Sequence, residues 1–182
     1  VLRLTMLFHD VAKPVCRTED ENGIHHFHGH PEVGAEMARK ILRRLKFDND
    51  TISKVSRLIK YHDDRPMPEM RSVRRAVNRI GEDLFPMYLE VQEADMLAQS
   101  EYRREEKSAR LKGVAECYHK VVEEKQCVSL KTLAVTGRDL IQAGYKPGPE
   151  LGEVLKEMLE HVLEEPSDNT KEKLMEFIKE KH

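Results

Sequence analysis

The sequence predicts an all-α fold, arranged as a helical bundle followed by a smaller helical C-terminal tail. Almost every stretch spaces its apolar residues with a period of about 3.6, and no segment alternates convincingly with a period of two. Charged residues make up 35% of the 182 positions, aromatic residues only 5%, and tryptophan is absent. This composition is typical of a helix-rich chain, and the length suffices for one domain with a sizeable core plus a small appendage.

The chain opens in an apolar helical pattern, which we expect Pro14 to end. Because that pattern already starts at Val1, we expect a further helix upstream of the numbered chain. Residues 16–30 then form a polar loop that is rich in histidine. Within it, Asn22-Gly23 is a turn signal.

Two amphipathic helices follow this loop. Pro31 begins the first of them, because proline suits the first turn of a helix. The apolar stripe of this helix consists of Val33, Met37, Ala38, Ile41, Leu42 and Leu45. Asp50 or Thr51 can cap the next helix, and Pro66 and Pro68 stop it.

Three more helices complete the larger part of the chain. The pattern predicts a helix over about 70–80, another over about 84–99, and a long charged helix that ends at about Glu124. Beyond it, turn signals become frequent. We therefore divide the chain into a bundle domain, residues 1–127, and a tail, residues 128–182.

The tail begins with a recognisable helix start. Thr136, with Asp139 three positions later, has the pattern of a capping box for a short helix that ends at Gly144. Pro149 lies in the first turn of the next helix, and Pro166 ends it. A last helix then runs towards the end of the chain.

Composition limits the classes of function. The formal net charge of −2 gives no global attraction to nucleic acid, so any RNA contact needs a local basic face. No run of about 18 apolar residues predicts a transmembrane helix, and the first residues do not form a signal peptide. Three cysteines without zinc spacing indicate reduced thiols, so we expect a cytoplasmic protein that does not bind membranes.

Acidic and imidazole side chains recur at helical positions that face the same way. His9-Asp10 closes the first apolar run, and His30 precedes the second helix. His62 and Asp95 continue the apolar stripes of later helices. A carboxylate in an apolar stripe is costly unless it is paired or binds a metal. We predict that these five residues are ligands of one or two divalent metal ions.

Each of these residues also has a simpler explanation on its own. Asp95 can form a buried ion pair with an arginine of the preceding helix, and His9 can be a core histidine with satisfied hydrogen bonds. His30 can be a loop or capping residue at a helix start. The joint pattern favours the metal site, because independent accidents poorly explain two histidines and two aspartates on the inward faces of different helices, with His30 beside them.

The ligand types indicate the metal and its chemistry. Imidazole and carboxylate without thiolate suit Mn, Fe, Co, Ni, Zn or Mg, and Asp10 is the natural candidate to bridge two ions. Such ions lower the pKa of a bound water and polarise a phosphoryl oxygen, which suits hydrolysis of phosphate esters. Lys13, one turn after His9 and Asp10, can hold a substrate phosphate, or it can be a solvated lysine at a helix end.

Two further basic features stand apart from these ligands. The first is the loop around His26 and His28, where we expect the imidazoles at most to face the substrate. The second is a basic helix face made of Arg71, Arg74, Arg75 and Arg79. This face can contact RNA phosphates, but the lack of interleaved aromatic residues favours a solvated surface.

Several motifs resemble a known superfamily. The segment Leu7 to Pro14, Leu-Phe-His-Asp-Val-Ala-Lys-Pro, resembles the central motif of the HD superfamily of metal-dependent phosphohydrolases. Four other segments are similar to the HD domain and C-terminal part of bacterial tRNA nucleotidyltransferases, the CCA-adding enzyme and poly(A) polymerase family. These segments are His26 to Ala35, Tyr61 to Asp63, Ala94-Asp95 and Thr136 to Gly152. The likeness covers essentially the whole chain.

The resemblance implies an all-helical HD domain with a helical tail. Carried over position by position, it implies that the metal ligands are His9, Asp10, His30, His62 and Asp95. It also implies that Lys13 lines the site. HD domains of some such enzymes hydrolyse 2′,3′-cyclic phosphates and 2′-phosphates of nucleotides, and the HD region and tail can hold the tRNA body.

Three departures from the family pattern concern this chain. Ala12 stands where a glycine is usual, a change that we expect the fold to tolerate. The family also has another histidine upstream of the His-Asp pair, and a nucleotidyltransferase head, neither of which is in the printed sequence. We therefore do not expect this chain alone to add nucleotides to tRNA.

Three functional hypotheses follow. In the first, the chain is a metal-dependent phosphohydrolase module that acts on nucleotide or RNA-end phosphate esters within tRNA 3′-end processing. In the second, it is a non-catalytic tRNA-binding scaffold with a vestigial metal site. In the third, it is a helical packing or dimerisation module without metal or RNA affinity.

Overall fold

A computed structural model of the chain describes residues 1–181 and confirms the all-α prediction. The helices are α1 Leu2–Phe8, α2 Lys13–Cys16, α3 His30–Arg44, α4 Asn49–Tyr61, α5 Met70–Ile80, α6 Phe85–Ala98, α7 Arg104–Glu123, α8 Gly137–Gln142, α9 Pro149–Glu164 and α10 Lys171–Lys181. A short 3-10 helix, Pro166–Asp168, separates α9 from α10. The two strands are β1 Thr18–Glu19 and β2 His25–His26.

The first helix is shorter than the sequence predicts. α1 ends before His9, and Pro14 lies in the first turn of α2 instead of ending α1, so that prediction was wrong. The first turn of a helix does not need the N–H that proline lacks, which is why Pro14 suits a start. The turn between α1 and α2 carries His9 and Asp10. Ala12 in this turn has a φ of −92°, so alanine fits there without strain.

The histidine-rich loop contains a small hairpin that the sequence did not reveal. β1 and β2 pair antiparallel, with Thr18 opposite His26 and Glu19 opposite His25. Gly23 has a φ of +75°, which confirms the turn signal between the strands. Strands of two residues are too short for an alternating pattern to be recognised.

α3 and α4 pack side by side in the main core. This core consists of Ala35, Ala38, Leu42, Ile52, Val55 and Ile59. The predicted stripe of α3 was partly wrong, because Val33 is 41% exposed and Leu45 is 57% exposed. Gly34 faces inward instead. A Cβ at Gly34 would lie 3.5 Å from Ile59 Cγ2, so the small residue allows α4 to approach closely.

The ends of α4 differ slightly from the prediction. The N-cap is Asp48, whose carboxylate accepts a hydrogen bond from the Thr51 N–H at 2.8 Å. Asp50 and Thr51, which the sequence suggested as caps, lie inside the helix. His62 is the C-cap, so the helix ends before Pro66. The chain therefore leaves α4 at a residue that was predicted to bind metal.

The chain forms two compact units. The first contains residues 1–67 and 80–115, and the second contains residues 68–79 and the chain from residue 116 onward. In the first unit, α1 packs on α4 and α6, and α2 packs on α3. In the second unit, α9 packs against α8 and α10. The boundary that we placed after residue 127 concerns domains and stays a prediction.

Three other sequence predictions can be compared with the structure. The capping box is confirmed, because the Thr136 N–H donates to Asp139 Oδ2 at 2.8 Å at the start of α8. The cysteines Cys16, Cys117 and Cys127 are free thiols. Within residues 1–181, none of the helices combines the length and apolar character that crossing a bilayer requires.

Candidate metal centre

The turn after α1, the start of α3 and the end of α4 bring three predicted ligands together. Asp10, His30 and His62 each offer one ligand atom, and these atoms all lie within 4.8 Å of one another. Asp10 Oδ1 lies 3.5 Å from His30 Nε2 and 3.7 Å from His62 Nε2. The two Nε2 atoms are 3.2 Å apart. Both imidazoles are buried, with 6% of His30 and 2% of His62 exposed.

A backbone carbonyl orients each imidazole of the site. In every ring, Nδ1 donates a hydrogen bond to the carbonyl three residues earlier. The pairs are His9 with Met6 at 2.8 Å, His30 with Phe27 at 2.9 Å and His62 with Ile59 at 2.6 Å. A carbonyl only accepts, so Nδ1 carries the proton and Nε2 is left for a further partner. Metal-binding histidines commonly have this arrangement, because the second hydrogen bond fixes both tautomer and orientation.

His9 and Asp95 extend the cluster on one side. His9 Nε2 lies 3.4 Å from Asp10 Oδ2 and 3.5 Å from Asp95 Oδ1. The hydrogen bond with Asp95 raises the pKa of His9, although burial acts in the opposite direction. The same interaction lowers the pKa of Asp95, assisted by a 2.8 Å hydrogen bond from Gln99. Three of the five predicted ligands therefore converge, and His9 connects Asp95 to them through its contact with Asp10.

The simpler explanation of Asp95, a buried ion pair, is also partly realised. Arg65 lies just after α4, and its guanidinium is 3.6 Å from Asp95 Oδ2 and 3.1 Å from Asp63 Oδ1. Asp95 remains only 14% exposed at its side chain. The ion pair uses Oδ2, so Oδ1 still faces His9.

The donor set fits a divalent cation. Asp10 Oδ1 is buried and has no hydrogen-bond partner among the described residues. The lone pairs of His30 Nε2 and His62 Nε2 face each other unless a proton or a metal lies between them. Burial lowers the pKa of His62, which disfavours a proton there. Imidazole and carboxylate are the ligands that Zn, Mn, Fe, Co and Ni accept, and Mg accepts the carboxylates.

Lys13 lies beside the cluster. Its Nζ donates to Asp10 Oδ2 at 2.6 Å, and it lies 5.9 Å from the centre of the Phe27 ring. The Lys13 side chain is 40% exposed, so the ammonium faces both the cluster and solvent. It is therefore not simply a solvated lysine, and its role towards a substrate phosphate stays a prediction.

Sequence reasoning missed several polar neighbours of the site. Asp63 Oδ2 lies 3.6 Å from His30 Nε2, and its position directly after His62 was the available signal. Arg65 donates to the His62 carbonyl oxygen at 2.6 Å, and the Gln92 amide donates to the same oxygen. Gln92 is buried on the inward face of α6, where a polar residue indicates a hydrogen-bonded role. These contacts hold the end of α4 in place.

His26 lies on the hairpin and pairs elsewhere. Its Nε2 is 3.0 Å from Asp20 Oδ2, and its ring stacks on His28 with centroids 5.4 Å apart. It is not one of the residues whose ligand atoms converge with Asp10. The expectation that His26 and His28 face the substrate stays a prediction.

The arginines of α5 do not form a uniformly solvated face. Arg74 is 5% exposed and donates to two backbone carbonyls at the end of α9, at 2.8 and 3.0 Å, and burial lowers its pKa. Arg71 and Arg75 both pair with the Glu164 carboxylate. The expectation of a solvated face was therefore wrong for Arg74, because this side chain is buried and its guanidinium binds backbone carbonyls instead of water. RNA contact by these residues and Arg79 stays a prediction.

The fold and the cluster together define an all-α protein with an imidazole and carboxylate constellation suited to a metal. Comparison with known families identifies the class of protein more closely than the fold does. Residues 18–178 match the family model for tRNA nucleotidyltransferase domain 2. The chain belongs to this family, which confirms the resemblance to bacterial tRNA nucleotidyltransferases seen in the sequence.

Curated relatives agree with this family. The chain is 35% identical over 177 residues to a CC-adding tRNA nucleotidyltransferase of Thermus thermophilus, covering 97% of this chain and 39% of that protein. It is 34% identical over 167 residues to an A-adding tRNA nucleotidyltransferase of Deinococcus radiodurans, covering 88% and 37%. A CCA-adding enzyme of Levilactobacillus brevis is 46% identical over 48 residues, 26% of this chain and 12% of that protein.

The chain spans about two fifths of the length of the Thermus and Deinococcus relatives. No solved structure matches it closely.

Proposed function

We propose that this chain is a metal-dependent phosphohydrolase module of the HD type, acting on phosphate esters of nucleotides or RNA ends. The convergence of Asp10, His30 and His62 is the main support for the proposal. Backbone carbonyls orient both imidazoles through Nδ1, and Asp10 Oδ1 is buried without a hydrogen-bond partner among the described residues. The substrate groups would be 2′,3′-cyclic phosphates or 2′-phosphates, as the resemblance to HD domains implies. Family membership supports a setting in tRNA 3′-end processing.

Five residues would hold one or two divalent ions of Ni, Co, Mn, Fe, Zn or Mg. They are His9, Asp10, His30, His62 and Asp95. The oxygens of Asp10 face different partners, Oδ1 towards His30 and His62 and Oδ2 towards His9, which suits a bridging carboxylate. When bound, such an ion supplies Lewis acidity to a phosphoryl oxygen and lowers the pKa of a water molecule.

Lys13 is the residue that we assign to the substrate phosphate. Asp10 Oδ2 accepts its hydrogen bond at 2.6 Å, which holds the ammonium close to the cluster. From there the partly exposed Nζ can stabilise negative charge that develops on a phosphoryl group. Asp10 thus has two roles in the proposal, as a metal ligand and as the group that positions Lys13.

We do not propose nucleotidyl transfer by this chain alone. That activity needs nucleotide-binding strands and an acidic catalytic pair. Residues 1–181 contain only the two short strands of the hairpin, so the described part of the chain does not supply such a sheet.

Turnover of adenosine 2′,3′-cyclic phosphate by the 182-residue chain tests the phosphohydrolase proposal. Ni, Co, Mn and Mg are supplied separately, and we expect hydrolysis with at least one of them. Asp10→Asn should lose at least about a hundredfold, since even residues behind the ligands of a metal site affect activity by 10–100-fold. Asp50→Asn is the matched control, because Asp50 pairs with Lys54 on the surface of α4. Equal inactivity of wild type and Asp10→Asn with every metal would refute the proposal.

Family membership favours a second function, a non-catalytic scaffold that binds tRNA and has a vestigial metal site. Phosphate contacts would then make tRNA binding strongly salt dependent. Because Arg74 is buried, the informative variant replaces Arg71, Arg75 and Arg79 with Gln. If these residues touch phosphates, the slope of log affinity against log salt falls by about one for each arginine–phosphate interaction that the substitutions remove. An unchanged slope would exclude these arginines from the tRNA-binding surface.

A further inference from the structure

A cavity adjoins the Asp95 side of the metal centre within the first compact unit. It has a volume of about 350 Å³ and lies among α6, the first part of α7 and the segments that follow α4 and α6. Asp95 and Arg65 line it. Asp95 also lies 3.5 Å from His9, so the cavity and the metal centre share a wall. The volume is sufficient for part of a nucleotide, since small-molecule sites usually occupy about 300–1,000 Å³.

Positive charge exceeds negative charge around this cavity. The cationic side chains are Arg65, Arg103, Lys107 and Arg110, and the carboxylates are Asp95 and Glu106. Arg103 donates twice to Glu106 at 2.6 Å, so these two charges neutralise each other. Lys107 donates to the neutral amide oxygen of Gln99 at 2.8 Å and has no carboxylate partner among residues 1–181. The excess charge favours an anion.

Among the residues that line the cavity, Arg110 gives the strongest indication of an anionic ligand. Its guanidinium is half-buried and makes neither a hydrogen bond nor an ion pair with the described part of the chain. Burial and the like charge of Arg65 lower the pKa of Arg110, while Tyr88 and Glu106 act in the opposite direction. None of the Arg110 nitrogens is among the fully buried unpaired atoms of the described residues, so they stay open to solvent and to a ligand in the cavity. A phosphate in the cavity offers the acceptors that its planar fork fits.

The remaining lining suits a base and a sugar. Met96 and Leu111 supply an apolar wall, and Tyr102 stands at the rim with 74% of its surface exposed. An exposed aromatic ring beside cationic side chains is a common platform for stacking a nucleobase. Gln92 and Gln99 add amide groups that can accept and donate hydrogen bonds.

We propose that this cavity binds the nucleotide unit next to the scissile phosphate ester, with Arg110 and Lys107 as ligands of a second phosphate. The part of this proposal that concerns a scissile phosphate ester rests on the proposed phosphohydrolase function. The binding of an anion in the cavity does not depend on that function. The substrate class is then a nucleotide or RNA end that carries a second phosphate, such as a 5′-phosphate. A nucleoside 2′,3′-cyclic phosphate without that group uses only part of the site.

Equilibrium binding without metal tests the cavity directly. Adenosine 3′,5′-bisphosphate and adenosine 3′-monophosphate are titrated into the 182-residue chain in EDTA and followed by calorimetry. We expect the bisphosphate to bind about tenfold more tightly, the effect of one charge-assisted hydrogen bond. Arg110→Met should abolish this preference, and Arg110→Lys, which retains the charge, should keep part of it. Arg43→Met on the exposed side of α3 is the charge-matched control and should keep all of it.

Two outcomes of the titration would overturn the proposal. One is equal affinity of the wild type for the two ligands. The other is an unchanged preference in Arg110→Met when its thermal midpoint equals that of the wild type. If Arg110→Met is unfolded, the Arg110→Lys variant decides instead, because a full tenfold preference without the planar fork contradicts the assigned role.

Turnover separates this proposal from the phosphohydrolase function. Adenosine 2′,3′-cyclic phosphate is compared with its 5′-phosphorylated counterpart, and we expect the latter to have a KM about tenfold lower with an unchanged kcat. If neither is hydrolysed but the bisphosphate preference persists in EDTA, the phosphohydrolase function fails and the cavity assignment holds. If both are hydrolysed with the same KM, the assignment of the cavity to the substrate fails and the phosphohydrolase function holds.

Discussion

His30 and His62 point their Nε2 atoms at each other across 3.2 Å, and the Nδ1–H of each ring donates a hydrogen bond to a backbone carbonyl. Two neutral imidazoles in this arrangement repel through their lone pairs. A cation between them removes the repulsion and also provides a partner for Asp10 Oδ1, which is buried and unpaired. We therefore expect this pair of histidines to couple the stability of the chain to metal binding.

The first prediction is that a bound metal raises the thermal midpoint. At a metal concentration about a hundred times Kd, binding to the folded state adds about 2.7 kcal/mol, or roughly 5–10 °C for a chain of this length. His30→Ala should lose most of this shift. His28→Ala, on the same loop but outside the cluster, should retain it. Equal shifts in wild type and His30→Ala, measured by differential scanning fluorimetry with Mn or Ni, would contradict metal binding at this cluster.

The second prediction concerns Arg74. Arg74→Met removes hydrogen bonds to two carbonyls of α9 and one to Gln126. We expect it to lower the free energy of unfolding by about 2–4 kcal/mol, because buried acceptors lose charge-assisted partners. Arg71→Met on the same helix should cost no more than about 1 kcal/mol, since Arg71 is exposed. Urea denaturation distinguishes the two, and similar midpoints for both variants would show that Arg74 has no special structural role.

The third prediction concerns pH. Lys171 and Thr136 hold the pKa of Asp139 well below its ordinary value of 3.8. Because the unfolded chain takes up this proton first, the stabilisation is fully present above about pH 4 and is lost as the pH falls further. Asp139→Asn should therefore be less stable than wild type at pH 7, with a difference that shrinks in acid. Urea midpoints at pH 7, 4 and 2.5 measure this, and a difference that stays constant over that range would be evidence against it.

The fourth prediction concerns the residue before His30. Gly29 has a φ of +75°, which allows the chain to turn into α3 with His30 at its first position. Gly29→Ala should cost about 1 kcal/mol, because other L residues adopt this conformation reluctantly. Gly137→Ala is the control, since no atom would contact the added Cβ and its φ is not positive. A Gly29→Ala variant as stable as the control would mean that the turn relaxes without strain.

The sequence was sufficient to predict most helices. Their apolar spacing and their prolines act within a few residues, so α5, α6, α8 and α9 could be placed closely. The prediction for Pro14 was wrong, because a proline can end one helix or begin the next. Only tertiary packing decides between the two. The end of α1 could therefore not be derived from its own residues.

The candidate site was predictable as a set of residues but not as a geometry. His62 and Asp95 could be placed on inward faces from periodicity alone. The sequence did not reveal the roles of their neighbours Arg65 and Gln92. Both donate hydrogen bonds to the His62 carbonyl oxygen at the end of α4, a contact that depends on how the helices pack. Arg74 shows the same limit, since its carbonyl partners lie about 90 positions away along the chain.

The bonds from imidazole to carbonyl have a consequence for transplanting this site. Each ring is aimed by an atom only three residues before it, so its orientation is encoded in a tetrapeptide. The tetrapeptides are Met6 to His9, Phe27 to His30 and Ile59 to His62. A protein engineer who moves the centre into another scaffold would graft these three segments with their backbone shape intact. The host would then have to set the distances between them and supply the carboxylates that correspond to Asp10 and Asp95.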